Sequence, residues 1–214
     1  MVNKESVIQL LEETKDLTIV AATKYVEADD IRVLASLGIS HIGENRVDAF
    51  LSKFEALADL DLTWHFIGHL QSKKVKKVIN KIDYLHSLDR ESLVLEIQKH
   101  RETPLNCFIE VNISDEDSKY GLNVSEVYSF CEKLKTYDKI HIVSLMGMAK
   151  LTEDKQEIKK EFNKLVELKK TLNKEKGLQL KYLSMGMSND YKIAIEEGST
   201  HVRIGSILFR KEGL

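Results

Sequence analysis

Leu183-Ser184-Met185-Gly186-Met187-Ser188-Asn189-Asp190, and after one short helical pattern His201-Val202-Arg203-Ile204-Gly205-Ser206, form the stretch on which the fold turns. An apolar run at 179–183 reads as a strand. Ser184-Met185-Gly186-Met187-Ser188 leaves it through a glycine turn and enters a helix at 190–197, with Ser188 placed to cap it. A Gly-Ser-Thr turn then returns the chain to a second strand at 201–204. Working back towards the N-terminus, the same alternation continues without a break. Strand-like runs fall at 17–22, 41–43, 62–67, 84–88, 106–113 and 140–146, and helical periodicity at 27–37, 46–57, 72–79, 90–100, 124–134 and 155–172. Residues 6–11, with Glu12 and Glu13, add an amphipathic helix ahead of the first strand. Eight strands alternating with helices predict a (β/α)8 TIM barrel, with a doubly wound sheet as the alternative.

The 214 residues suit one domain spanning 1–214, since barrels of this type run to roughly 200–250 residues. No repeat, low-complexity stretch or Pro/Gly/Ser-rich linker divides the chain. An apolar content of 43% supports a sizeable core, and 32 Lys+Arg against 34 Asp+Glu leave a net charge of −2, which gives no electrostatic footprint for nucleic acid. The longest apolar runs fall far short of the ~20 residues that span a bilayer. The N-terminus lacks the apolar stretch and cleavage site of a secretory signal, so a cytoplasmic location is expected. Cys107 and Cys131 have no CxxC spacing and read as buried free thiols rather than a disulfide or redox pair. The lysine-rich segment 73–81 reads as the solvated face of a helix whose apolar side is Val75, Val78, Ile79 and Ile82. Docking of an acidic partner is the other reading.

In a barrel, chemistry is expected where strands end at the carboxyl side. Lys24 follows the apolar run Ile19-Val20-Ala21-Ala22-Thr23, so its stem is expected against apolar walls. A desolvated amine there can attack a carbonyl to form a Schiff base; an ordinary solvated lysine is the bland reading. At the other end of the chain, the loops after strands 7 and 8 are where barrels most often hold a phosphate. Ser188 and the helix N–H groups, Gly205 for close backbone approach, and Ser206 with both a hydroxyl and an N–H would form that cradle. Arg203 cannot lose its charge and so needs a partner. A Schiff-base lysine beside a phosphate cradle matches pyridoxal 5′-phosphate (PLP), which carries both an aldehyde and a phosphate.

Several blocks in order then give a resemblance. Ala21-Ala22-Thr23-Lys24, Ile42-Gly43-Glu44-Asn45, Trp64-His65-Phe66-Ile67-Gly68, Leu70-Gln71-Ser72-Lys73, Val111-Asn112-Ile113-Ser114, Ser118-Lys119-Tyr120-Gly121, Leu145-Met146, Ser184-Met185-Gly186-Met187-Ser188 and Val202-Arg203-Ile204-Gly205 cover nearly the whole chain. The sequence resembles the YggS-type PLP-homeostasis family, whose members are similar to the barrel domain of alanine racemase. The resemblance implies PLP as cofactor, a Schiff base on Lys24, phosphate held by Ser188, Gly205 and Ser206, and Arg203 facing the pyridine nitrogen. It also implies Asn45 and Met146 in the pocket lining, although Asn45 reads equally well as a helix cap and Met146 as core packing. Two departures stand out. His69 occupies the family's proline position after Ile67-Gly68, and Ala149-Lys150 stands where relatives often carry Ala-Pro. The first sets His65 and His69 four apart, a weak metal pattern without a third ligand. Neither departure is expected to touch the cofactor residues.

Racemisation needs proton donors on both faces of the substrate carbon, and the resemblance places the second donor of alanine racemase on a separate domain. That domain is not expected here, because the chain ends shortly after Ser206. Tyr25, Tyr120 and Tyr182 could replace it but read better as packing or rim. The expectation is a non-enzymatic PLP carrier or buffer, a monomer by family resemblance, with apo PLP-dependent enzymes as possible recipients. A weak or narrow amino-acid racemase, and a module docking partners through Lys76 and Lys77, are the alternatives.

Overall fold

A computed structural model describes residues 1–114, 116 and 120–209. Its strands are β1 Thr18–Ala22, β2 His41–Glu44, β3 Thr63–Phe66, β4 Tyr84–Leu88, β5 Leu105–Val111, β6 Ile140–Gly147, β7 Tyr182–Met187 and β8 His201–Ile204. All pair in parallel in chain order, and β8 closes on β1 with Ile19 opposite Val202 and Ala21 opposite Ile204. The closed barrel is thus the predicted fold, and the doubly wound alternative falls.

The helices are α1 Lys4–Glu13, α2 Ala28–Ser36, α3 Val47–Ala56, α4 Val75–Val78, α5 Glu91–His100, α6 Val124–Leu134, α7 Lys155–Lys176 and α8 Tyr191–Glu196, with a 3-10 turn, Ser72–Lys74, leading into α4. Three of them, α1, α6 and α7, start where the sequence offers a side-chain acceptor. Asn3 accepts from the Ser6 N–H, Asp154 from Gln156 and Glu157, and Asn123 with Glu126 forms a capping box. The main core lies between sheet and helices, where Ile31, Phe50, Val78, Ile97, Phe130 and Phe162 cover the strands. Buried on both faces, the strands need apolar residues outward, but the barrel interior is partly polar: His65, His86, Ser184, His201 and Arg203 are buried there. Rings fill the lower half, with His65 stacked on Tyr84 at 4.7 Å and Tyr182 edge-on to His201 at 5.0 Å.

Some element boundaries move, most of all in β7 and α7. The seventh strand begins at Tyr182, not at 179, because the Asn173 side chain of α7 grips Leu180 at both its N–H and its carbonyl, 2.8 and 3.0 Å. Ser184 to Met187, expected as a loop, therefore belong to β7. Helix α7 runs beyond 172 to Lys176 and stops where Gly177 takes φ +65°.

The basic segment has Val75, Val78, Ile79 and Ile82 buried while Lys76 and Lys77 are exposed, the arrangement of a solvated helix face. Both cysteines are free and buried, and burial pushes the Cys131 thiol up to about 12. No helix among the described residues is long and apolar enough to cross a membrane.

Candidate functional site

The carboxyl ends of the strands open into a cavity of about 880 Å³ lined by Lys24, Ser188, Arg203, Gly205 and Ser206, together with Tyr25, Asn189 and Leu151. Five of the seven residues expected at the site, from opposite ends of the chain, thus share one wall. Pairing of β1 with β8 is what joins them, since Val20 lies opposite Arg203.

Lys24 sits in the turn after β1, exposed, with its ammonium 4.7 Å from the centre of the Tyr25 ring. The apolar sheath expected around its stem is absent, because β1 ends at Ala22 and the lysine lies beyond the last paired residue. What fixes the turn is a buried cluster the sequence reading missed. Thr23 Oγ1 donates to Glu44 Oε1 at 2.5 Å, and the Lys53 ammonium donates to both Glu44 Oε1 (2.5 Å) and the Thr23 carbonyl (2.6 Å). Glu44 and Lys53 are buried, and Glu44 Oε2 has no partner. A signal existed: Lys53 stands on the same stripe of α3 as buried Val47 and Phe50.

Ser188 does not cap α8. Asp190 precedes the helix and its Oδ1 accepts the Met187 N–H at 2.5 Å, while Ser188 Oγ accepts the Gly205 N–H at 3.2 Å and ties the β7 loop to the β8 loop. The Ser188 hydroxyl only accepts here and its own proton has no acceptor among the described residues, so it is free to donate to a ligand. The N–H groups of Asn189 and Ser206 have no hydrogen-bond acceptor among the described residues. Donors at this corner therefore come from the two loops rather than from the end of the six-residue helix.

Arg203 is 5% exposed. Its guanidinium donates to Ser184 Oγ at 2.6 Å and to the Gly147 carbonyl at 3.1 Å, both neutral acceptors. It makes no ion pair among the described residues. Burial lowers it to about 10, against the pull of the Asp190 and Glu110 carboxylates, so it is charged at neutral pH. Two cations without carboxylate partners, Lys24 and Arg203, and several free donors share one cavity. That donor set fits an anionic phosphate together with a ring acceptor and an electrophilic carbonyl.

Asn45 and Met146 stand apart from that cavity lining. Met146 is buried inside the barrel against Phe108 and Val143, in the core-packing role. Asn45 follows β2 beside Gly68, where a Cβ would lie 2.5 Å from the Asn45 carbonyl; its Oδ1 is buried without a partner and it does not cap α3. His65 and His69 diverge: His65 points into the barrel, while His69 stacks on Tyr120 at 4.2 Å and faces Asp89 at 4.0 Å. Ala149 and Lys150 of the second departure both line the cavity. Of the tyrosines, Tyr25 is on the rim at 85% exposure, and Tyr182 packs at the opposite end of the barrel. Ser118 and Lys119 of the resemblance lie outside the described residues.

Residues 9–212 match the family model of the alanine racemase N-terminal domain. A pyridoxal phosphate homeostasis protein of Aquifex aeolicus is 42% identical over 197 residues, covering 89% of this chain and 85% of that protein. PipY of Synechococcus elongatus, solved without PLP, superposes with a TM-score of 0.91 at 30% identity over 97% of this chain and 99% of its own. The same protein solved with PLP bound gives 0.89 at 28% identity, again over 97% and 99% of the two chains. Alanine racemase from Bacillus anthracis shares the fold, with a TM-score of 0.74 at 15% identity over 99% of this chain and 56% of the racemase. The chain belongs to the pyridoxal phosphate homeostasis protein family, built on the barrel of the alanine racemase N-terminal domain.

Proposed function

We propose that this protein binds PLP in the barrel mouth and serves in PLP homeostasis as a carrier or buffer. The observation that carries the reading is the pairing in one cavity of an exposed lysine with a buried arginine, neither neutralised by a carboxylate, beside the free donors of the β7 and β8 loops. When bound, the cofactor supplies a reactive aldehyde and an electron-withdrawing ring. Lys24 provides the amine for a covalent carbon–nitrogen link to that aldehyde. Ser188, Gly205 and Ser206 hold the phosphate by hydroxyl and N–H donors. Arg203 addresses the pyridine nitrogen, and as a charged donor it disfavours a proton there. Asn45 and Met146 belong to the wider surroundings of the site, Asn45 through its unpaired Oδ1 and Met146 through its place on β6 opposite Ser184.

The exposed lysine and open mouth support a role in exchanging cofactor rather than sequestering it from water. Transfer to apo PLP-dependent enzymes, in the cytoplasm and as a monomer, completes the proposal. Borohydride reduction of the purified protein with PLP, followed by peptide mass mapping, tests the site. A single phosphopyridoxyl adduct on Lys24, lost in Lys24→Ala, is expected; adducts scattered over surface lysines would sink the reading. Amino acids deuterated at the α-carbon test the racemase alternative, with retention of deuterium expected.

A further inference from the structure

A file of polar side chains crosses the barrel interior from its floor to its mouth. His41 Nδ1 lies 2.9 Å from His65 Nε2, His65 Nδ1 2.8 Å from His86 Nε2, and His86 Nδ1 2.9 Å from Ser184 Oγ, which in turn accepts from Arg203 at 2.6 Å. His41 lines a separate cavity of about 290 Å³ on the barrel floor, and Arg203 lines the mouth. The contacts face one another in pairs and converge on no common point, so they make hydrogen bonds rather than a ligand set.

The direction of every bond follows from the top. A guanidinium only donates, so Ser184 Oγ accepts from Arg203; the buried hydroxyl has no other hydrogen-bond partner than His86 among the described residues, so its own proton goes to His86 Nδ1. His86 then carries its proton on Nε2 and donates to His65 Nδ1, and His65 donates from Nε2 to His41 Nδ1. Burial holds His65 and His86 well below the usual imidazole range, and the neighbouring rings act the same way on both, as does Arg203 on His86. Burial lowers His41 as well, against the pull of Asp83, so the file is neutral at neutral pH. It gives Arg203 an acceptor without a counter-charge, whereas a carboxylate in the place of Ser184 would cancel the charge that the site presents. His201 stands outside the file, its Nδ1 engaged with Thr200 Oγ1 at 2.9 Å.

We propose that Ser184, His86, His65 and His41 are positioning residues: a one-directional, uncharged hydrogen-bond file that aims the Arg203 guanidinium at the ligand in the mouth. The inference rests on the reading of that mouth as the PLP site.

Two measurements test it. Long-range proton–nitrogen correlation spectra of the histidine-labelled protein without ligand should show His65 and His86 as Nε2–H tautomers; an Nδ1–H tautomer at either overturns the direction of the file. Titration of Ser184→Ala with PLP should show binding about tenfold weaker, the scale of one hydrogen bond to a charged group, and a displaced absorption band of the bound cofactor. Ser184→Thr, which keeps the hydroxyl, should restore both, with thermal melting of each variant as the check on folding. Wild-type affinity and spectrum in Ser184→Ala overturn the positioning role even where borohydride still marks Lys24. Absence of the Lys24 adduct in the wild type instead overturns the reading of the mouth, and the tautomer spectra tell the two failures apart.

Discussion

At Gly186 the backbone takes φ +95°, and a Cβ there would sit 2.6 Å from the Ala194 Cβ on α8. Neither the strand nor the helix can yield cheaply, because Tyr191 Cα is also only 3.1 Å away. Gly186→Ala is expected to cost about 2 kcal/mol or more, read by urea denaturation, and to loosen the loop that carries Ser188. A second single residue, Glu110 buried on β5, is pushed up to about 7 by burial and by the Asp89 carboxylate, against the pull of Arg203 and Arg90. Its folded value lies above the unfolded one, so its contribution is full below about pH 4.3 and is lost as pH rises through about 7, on the order of 3 kcal/mol in all. Glu110→Gln removes that loss. Relative to wild type the variant should gain stability at pH 8 over pH 4; an equal difference at both pH values would contradict this.

At the scale of elements, Lys53 couples α3 to β1 and β2 through Glu44 and Thr23, and so sets the turn that presents Lys24. Removing one partner of a buried ion pair strands the other, at a cost of about 3 kcal/mol or more. Lys53→Met is expected to lose that much and to weaken borohydride trapping on Lys24, while adding Glu44→Gln should recover most of the stability. Full additivity of the two losses would show that the pair does not act as a unit. The elements themselves were legible from periodicity, because an apolar strand and an amphipathic helix differ over a few residues. The start of β7 was not, since a side chain from α7 decides where pairing begins.

For the whole molecule, the histidines set the acid limit. Burial holds His65 and His86 well below the imidazole range and lowers His201 to about 4. Their folded values lie below the unfolded value of about 6.5, so their contribution is present above that pH and lost as pH falls. Glu110 and Asp190, both raised by burial, work in the opposite direction, but the lowered imidazoles outnumber them. Between about pH 4.5 and 6.5 unfolding takes up protons at these imidazoles, so stability should fall with acidification. Melting temperatures across that range check it, and a flat profile would mean that the interior imidazoles are charged.

The sequence alone determined the count and order of strands and the family, and it singled out Lys24, Ser188, Arg203, Gly205 and Ser206 as candidates, because each is written in local periodicity or in a short block at the end of a strand; closure of the barrel by β8 on β1 was decided in three dimensions. Only the tertiary structure decided which of the expected residues share a wall. It sent Met146 into the core, bound Ser188 to Gly205 rather than to α8, and brought Ala149 and Lys150 to the cavity. It alone joined His41, His65, His86 and Ser184 into a file ending at Arg203. These residues lie on strands distant in sequence, and which inward-facing side chains meet depends on the register of a closed sheet, a long-range property that no short window of sequence contains.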